Sequence, residues 1–368
     1  MKTEKSSLKA ALISQGSGSS KMQAEAMKKY FGEVDMLQLK DIEVRLGKEA
    51  GVLYDGKPLK KYDCVYLKGS FRYANLLRSI ASMLEGKVPY MPLAATSFTI
   101  THNKLLTHLV LQQHKIAMPK TYISATVEAA KDILQKVNYP IVMKFPEGTQ
   151  GKGVMFADSV SSATSMLDAL EALNQPFIIQ EYVETDGCDI RALVVGDKVA
   201  AAMKRKAQKD DKRANIHVGG RGAYIELDRV ARRLAVETAK ALNADICGVD
   251  ILETPLGPVV IEANVSPGIQ GLSEVSKVDI ADEMARFMFK KTEEIVGISS
   301  EIKKMETMKN ILTEVGTKDS EEIITPLDFR GERILLPELV TKMTKFEDDK
   351  DYSIKASKGK LLIKEFKI

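Results

Sequence analysis

The sequence predicts a mixed α/β (α+β) protein, with two α/β segments in succession and a small β module at the end. Three observations carry that prediction. Up to about residue 98, apolar strands alternate with amphipathic helices, as an α/β layer requires. From Ser97 to about residue 298, strands pair across short glycine-bearing turns with helices between them. The last 48 residues change character and alternate short strands with charged turns.

At 368 residues the chain is long enough for two or three domains. With 44% hydrophobic and 28% charged residues, neither a disordered nor a fibrous class is favoured. No apolar run reaches the roughly 18 residues that would span a membrane. The N-terminal MKTEKSSLKAALISQG has too brief an apolar core for a secretory signal, so a cytoplasmic protein is expected. Cys64, Cys188 and Cys247 are far apart and form no CxxC pair, which argues against a disulfide framework or a zinc site. The net charge of +4, from 54 basic and 50 acidic residues, is too mild to argue for nucleic acid.

Taken in order, Ala10–Ser14 reads as a strand, Gly16-Ser17-Gly18-Ser19-Ser20 as a turn and Met22–Phe31 as a helix. The turn fails as a dinucleotide fingerprint, because Lys21 stands where GxGxxG needs its third glycine, and it is read as an ordinary βα turn. Asp63–Lys68 (DCVYLK) is a second apolar strand, followed by helical FRYANLLRSIASMLEGK and a short strand at Pro89–Pro92. Thr101-His102-Asn103-Lys104 opens an amphipathic helix through Leu105, Leu106, Leu109, Val110 and Leu111. Lys104 is either a surface lysine or, since a helix N-terminus attracts anions, part of a phosphate site. Tyr139–Phe145 is a strand whose Lys144 sits among Ile, Val and Met, where a lysine either snorkels or meets an anion. Next comes the turn EGTQGKGV, whose Gly148, Gly151 and Gly153 let backbone N–H groups approach phosphate oxygens. It is not a Walker A loop, since Gly153 replaces the Ser or Thr and no helix follows.

Phe177–Val183 is a strand with a polar end, suited to a linker between lobes whose backbone reads an adenine edge. Cys188–Met203 reads as a hairpin turning at Gly196-Asp197, and its outer ends carry Asp189, Arg191, Lys204, Arg205 and Lys206. The basic stretch Asp210–Gly222, with Arg213, Ala214, Asn215, His217 and Arg221, is either a solvated loop or one that closes over a triphosphate. Arg229–Leu242 is a helix expected to turn Val230, Leu234, Ala235, Thr238 and Leu242 to the core. The chain is organised around Gly248–Gly268, two strands joined by a tight turn. Alternation puts Asp250 on one face, and Glu262 and Asn264, at i and i+2, on one face. Two carboxylates and an amide oxygen form a hard ligand set that suits Mg²⁺ or Mn²⁺ held with substrate phosphates. Two further helices are expected, at Ile280–Phe289 and at Glu301–Val315.

With these pieces in line, residues 97 to about 292 resemble the ATP-grasp superfamily, and within it the RimK-like α-L-glutamate ligases. The matching residues are Asn103-Lys104-Leu105, Val142-Met143-Lys144 with EGTQGKGV, IIQEYV before GCDIRALVVGDKVAAAMKR, RANIHVGG, CGVDIL and VIEANVSPG. The resemblance implies a pre-ATP-grasp α/β domain over 1–98 and an ATP-grasp domain over 99–298, with a small lobe 99–178 and a large lobe 179–298. A helical connector over 299–320 and a β module over 321–368 follow. It implies phosphate contacts from Lys104 and Lys144, an adenine hinge at Glu181 and Tyr182, and Asp189 near the ribose. The loop Arg213, Ala214, Asn215 would meet the nucleotide, and Asp250, Glu262 and Asn264 would bind metal.

The implied chemistry is an acyl phosphate made from ATP on an acceptor carboxylate, then attack by an amino acid amine, with ADP and phosphate released. ATP and two Mg²⁺ or Mn²⁺ ions are the implied cofactors. L-glutamate, or another amino acid, and a protein tail or small-molecule carboxylate are the implied partners. Arg191, Arg205 and Arg213 are placed to bind carboxylates or the acyl phosphate, since guanidinium forks match such groups. The tail, RGERILLP through KLLIKEF, resembles the AbrB-type swapped-hairpin module. With eleven basic and eleven acidic residues over 318–368, it favours a homodimer or homotetramer over DNA binding. The competing reading is an ATP-binding, DNA-associated regulatory assembly.

Overall fold

The computed structural model describes residues 6–147, 153–206 and 221–315, and in the tail 328–330, 333–336, 338–347, 350–357 and 360–365. Gly148, Gly151, Arg213, Ala214 and Asn215 lie outside the described residues. The chain divides into two compact units, Met1–Glu301 and Ile302–Ile368.

The first unit opens with β1 (Lys9–Ser14), α1 (Gly18–Met27), β2 (Glu33–Gln38), β3 (Ile42–Arg45), β4 (Gly51–Tyr54), β5 (Lys57–Pro58) and β6 (Cys64–Leu67). β1 lies between β2 and β6 in a parallel sheet, and Ala10–Ile13 are fully buried, as a central strand covered on both faces must be. α1 starts a turn earlier than its apolar pattern suggests, because Ser17 caps it: the Ser17 hydroxyl accepts the Ser20 N–H at 3.2 Å. β3, β4 and β5 form an antiparallel meander that the hydrophobic pattern did not reveal. The helix expected from Phe71 begins at Ala74 as α2 (Ala74–Leu84), and the strand expected at Pro89–Pro92 is reduced to one bridge between Tyr90 and Cys64.

α3 (Ala95–His102) and α4 (Lys104–Gln113) meet at Asn103, which corrects the expectation of one helix opening at Thr101. The Asn103 side chain accepts the Leu106 N–H at 3.2 Å, so Asn103 starts a new helix and Thr101 and His102 end the previous one. Leu109 is exposed, and α4 buries Thr107, His108 and Leu111 instead.

β7 (Thr121–Tyr122), α5 (Val127–Leu134), β8 (Ile141–Lys144), β9 (Val154–Ala157), α6 (Val160–Ala172) and β10 (Ile178–Glu181) follow. Their strands form an antiparallel sheet in the order β7-β10-β8-β9. They bury a core of their own, including Leu134, Ile141, Met143, Leu167 and Ile179.

Next come β11 (Cys188–Val195), β12 (Lys198–Lys206), β13 (Arg221–Tyr224), α7 (Arg229–Ala241), β14 (Ile246–Thr254), β15 (Gly257–Asn264), α8 (Gln270–Val275) and α9 (Ile280–Val315). The strands make one antiparallel sheet, β13-β12-β11-β14-β15, and its core is continuous with that of the β1–β6 layer. α7 buries Ala231, Leu234, Ala235, Thr238 and Ala239, whereas Val230 is 60% exposed, so its expected core role is wrong by one position of the 3.6-residue period. α9 is one 36-residue helix where two were expected, since Gly297 alone does not break it.

In β14 and β15, Asp250 stands opposite Glu262 and Gly248 opposite Asn264. Directly opposed residues share a face, so Asp250, Glu262 and Asn264 lie on the same side of the sheet. The pairing slips just after Asp250, where Ile251 takes Val260 and leaves Ile261 extra. Such bulges bend a strand and re-aim side chains.

The second unit holds a hairpin of β16 (Asp328–Arg330) and β17 (Arg333–Leu335), then α10 (Glu338–Thr344), then a hairpin of β18 (Tyr352–Ser357) and β19 (Lys360–Glu365). Ile334, Leu335, Ile354, Leu361 and Leu362 on these strands are between 41% and 61% exposed.

Candidate active site

A cavity of about 590 Å³ in the first unit gathers most of the predicted site residues. Lys144, Glu181, Tyr182, Asp189, Arg191, Arg205, Asp250, Glu262 and Asn264 all line it. Lys104 and Gly153 do not.

The floor is a row of alternating charges fixed by strand register. Arg191 lies opposite Asp250, and Asp189 opposite Arg205. Arg191 grips both oxygens of Asp250, with Nη2 to Oδ2 at 2.7 Å. Arg205 grips both oxygens of Asp189 at 2.6 Å and reaches Asp250 Oδ2 at 2.9 Å. These two-point contacts use the fork of the guanidinium, which lysine could not copy. Gly248 leaves room for them: a Cβ there would lie 3.2 Å from Pro267 and 3.5 Å from the Arg191 side chain.

Burial alone would raise the Asp250 carboxyl, but the two guanidiniums overturn it and hold the group at about 2. Asp189 is pushed up to about 6 by burial and by the neighbouring Asp250, with Arg205 and Arg191 pulling the other way. Arg205 loses to burial and gains more from Asp250 and Asp189, so its proton is held more firmly than usual.

On the β7–β10 side, Lys144 ends β8, and its ammonium donates to Gln180 Oε1 at 2.6 Å. The Gln180 amide donates to Thr121 Oγ1 at 2.9 Å and meets His108 Nε2 at 3.0 Å. His108 Nε2 must therefore accept, and its Nδ1–H donates to the Lys104 carbonyl, which fixes a neutral ring. Burial draws Lys144 down to about 8; Glu262 pulls it up and Lys104 pushes it down. Lys104 thus acts on the site through its charge from the first position of α4, where its N–H donates to the Pro146 carbonyl at 2.8 Å. At the end of β10, Glu181 accepts from the Tyr122 hydroxyl at 2.9 Å, and Tyr182 packs edge-on to Phe156. Gly153 has φ +76°, and a Cβ there would strike the Phe145 ring at 2.3 Å, so only glycine fits that close of the turn.

The opposite wall was not foreseen. Gln15, Ser17, Ser20, Lys68, Ser70 and Gln270 also line the cavity. The turn Gly16–Ser20, read as an ordinary βα connection, faces it. The available signal was Lys68, a lysine closing the apolar run CVYL just as Lys144 closes IVM. The loop after Asn264 ties this wall to the floor. Asn264 Oδ1 accepts the Ser266 N–H at 2.8 Å, Ser266 Oγ accepts the Gly69 N–H at 3.1 Å, and Ser19 Oγ accepts the Ile269 N–H at 3.0 Å.

The donor set of Asp250, Glu262 and Asn264 is all oxygen and lies on one face of the β14–β15 pair, which fits a hard divalent cation. A carboxylate has about four lone-pair directions, and the arginines take three of those on Asp250, so Glu262 is the more open ligand.

Two antiparallel sheets that carry a lysine, a polar strand end and an oxygen-rich strand pair around one cavity define a protein of the ATP-grasp class. A model of the RimK-like ATP-grasp domain matches residues 101–288. The chain is 36% identical over 241 residues to the "Probable alpha-L-glutamate ligase" of Marinomonas sp. (strain MWYL1), an alignment spanning 65% of this chain and 80% of that protein. It is 34% identical over 241 residues to the "Ribosomal protein bS6--L-glutamate ligase" of Escherichia coli O81 (strain ED1a), with the same shares covered. The RimK domain ATP-grasp protein from Sphaerobacter thermophilus DSM 20745 matches with a TM-score of 0.58 at 19% identity, over 76% of this chain and 98% of that one, which speaks for the fold alone. The chain belongs to the RimK-like ATP-grasp family and is an ATP-grasp ligase. No helix among the described residues is long and apolar enough to cross a membrane.

Proposed function

We propose that the chain joins L-glutamate to an acceptor carboxylate, on a protein C-terminal tail or a small molecule, at the expense of ATP. An acceptor carboxylate oxygen takes the γ-phosphoryl group as ADP leaves. The glutamate amine then attacks the acyl carbon, loses a proton, and phosphate departs with that oxygen as the amide forms. The observation that carries this reading is the row Arg191, Asp250 and Glu262 on three adjacent strands, in the cavity that Lys144 and Glu181 also line. Fixed cations beside oxygen ligands are what phosphoryl transfer to a carboxylate needs, since it is catalysed by positioning and charge neutralisation.

In this reading Lys104 and Lys144 neutralise the phosphate chain, and Gly148, Gly151 and Gly153 belong to the turn that covers it. Glu181 and Tyr182 form the adenine hinge, and Asp189 stands toward the ribose while its carboxylate orients Arg205. Arg191, Arg205 and Arg213 meet the substrate carboxylate or the acyl phosphate, and Ala214 and Asn215 approach the nucleotide. Asp250, Glu262 and Asn264 would hold two divalent ions, Mg²⁺ or Mn²⁺, which when bound offset the charge of the transferred group.

We read residues 1–98 as the pre-ATP-grasp domain, 99–298 as the ATP-grasp domain, 299–320 as a connector and 321–368 as a module that pairs with a second copy in a cytoplasmic homodimer or homotetramer. The exposed apolar residues of β17, β18 and β19 support that pairing. The test is ADP release that requires both glutamate and an acceptor. Cell extract incubated with enzyme, ATP, Mg²⁺ and glutamate would be searched for species heavier by whole glutamyl residues. ADP release driven equally by another amino acid would reject glutamate as the substrate.

A further inference from the structure

We propose that Lys68 forms a carboxylate-binding subsite on the N-terminal wall of the cavity, one that holds a substrate carboxylate other than the phosphorylated one and so selects an acidic substrate. The identity of the substrates rests on the ligase reading above. The subsite itself rests on Lys68 and its surroundings.

Lys68 lines the cavity yet is only 5% exposed. Its ammonium donates to Gln23 Oε1 at 2.9 Å and to the Pro267 carbonyl at 3.1 Å, and both partners are neutral. An ammonium has three donors, so one remains. Its ammonium also lies 5.8 Å from the centroid of the Tyr66 ring. Among the described residues no carboxylate pairs with Lys68, whereas on the same cavity Arg191 holds Asp250 and Arg205 holds both Asp189 and Asp250. A buried cation without a counter-ion is costly to keep, and an anionic ligand relieves that cost. Burial draws Lys68 down to about 7, so it is readily protonated when a carboxylate arrives near neutral pH.

The surroundings suit a carboxylate. Ser17 and Ser20, whose hydroxyls share one hydrogen bond at 3.0 Å, leave one O–H between them, Ser70 and Gln270 on the same wall add hydroxyl and amide donors, and the N-terminus of α1 adds a favourable dipole. The Lys68 contact to Pro267 also binds it to the loop after Glu262 and Asn264, on the floor of the same cavity. Lys144 belongs to the β7–β10 sheet and Lys68 follows β6 in another sheet, so in this reading Lys68 is left for a different anion from the triphosphate.

Full-length wild type, Lys68→Gln, Lys68→Arg and Gln270→Glu are compared in two assays. In the first, glutarate, a dicarboxylate without an amine, is titrated calorimetrically with ADP and Mg²⁺ present. Lys68→Gln is expected to weaken binding by about tenfold or more, Lys68→Arg to stay within about threefold of wild type, and Gln270→Glu to weaken it by repulsion while Lys68 is untouched. In the second, kcat/KM is measured for L-glutamate and L-glutamine. The preference for glutamate should fall about tenfold in Lys68→Gln, with the KM for ATP unchanged. A rise in the acceptor KM instead assigns the bound carboxylate to the acceptor and upholds the subsite. Unchanged glutarate affinity and unchanged KM values in a Lys68→Gln protein that melts like wild type overturn the proposal. So do equal losses in Lys68→Gln and Lys68→Arg, which would mark a packing role, and unchanged glutarate binding in Gln270→Glu. A wild-type protein with no glutamate-dependent turnover would sink the glutamate reading, and the glutarate titration still decides the subsite.

Discussion

Arg191 and Asp250 face each other across β11 and β14 and close a two-point ion pair, to which Arg205 adds a contact from β12 at 2.9 Å. Asp250 is therefore the counter-ion of Arg191 and is shared with Arg205, which Asp189 also holds. Asp250 has two duties in the proposed mechanism, metal ligation and charge balance against the arginines, while Glu262 has the first and favours the charge of Lys144.

That difference separates two substitutions. Glu262→Gln should lose at least ~100-fold in turnover with little change in melting temperature. Asp250→Asn should lose turnover as much and also destabilise by on the order of 3 kcal/mol, because it leaves Arg191 without the carboxylate that holds it. Thermal melts beside ADP-release assays check both, and Mg²⁺-dependent activity surviving in folded Glu262→Gln would sink the metal assignment.

Lys144→Ala should weaken ATP binding by roughly ten- to a hundredfold, the value of a charge-assisted contact. Lys21→Ala, at an exposed position of α1, should change nothing. Equal effects in a titration of ATP into the two variants would mean the nucleotide lies elsewhere.

Because burial holds Lys144 near 8, it is cationic below that pH and neutral above it. Wild-type ATP affinity without divalent metal should accordingly hold up to about pH 8 and weaken as pH rises further, and Lys144→Gln should remove that inflection. A wild-type binding curve flat from pH 7 to about 9.5 would contradict the assignment.

Truncation after Lys318 should lower the oligomeric mass before it touches the chemistry. Every described residue assigned to nucleotide, metal or substrate lies in the first unit, and the tail has too few residues to bury a stable core alone. Light scattering with parallel ATPase assays decides it; an unchanged mass rejects the pairing proposal.

The carboxylate row was legible in the sequence because strand alternation is rigid: a residue at i and another at i+2 share a face whatever surrounds them. Pairing was harder to read. That Asp189 would meet Arg205, and Asp250 both arginines, depends on which strands become neighbours, and β11 lies beside β14, about 50 residues later in the chain. Helix boundaries were blurred where a polar side chain decides them, as Ser17 and Asn103 do by capping. The Lys68 wall escaped because its strand sits in a different sheet from the motifs, and only the loop after Asn264 brings the two together.

That loop makes the β1–β6 layer a poor candidate for exchange. Gly69 meets Ser266, Lys68 meets Pro267, Ser19 meets Ile269, and Ser266 in turn holds Asn264. A chimaera joined near residue 98, the natural crossover for borrowing another member's acceptor preference, would part the first three of those couples and leave the loop after Asn264 unanchored. The transferable cassette is discontinuous. It consists of residues 15–20, 68–70 and 264–270, and must move as one.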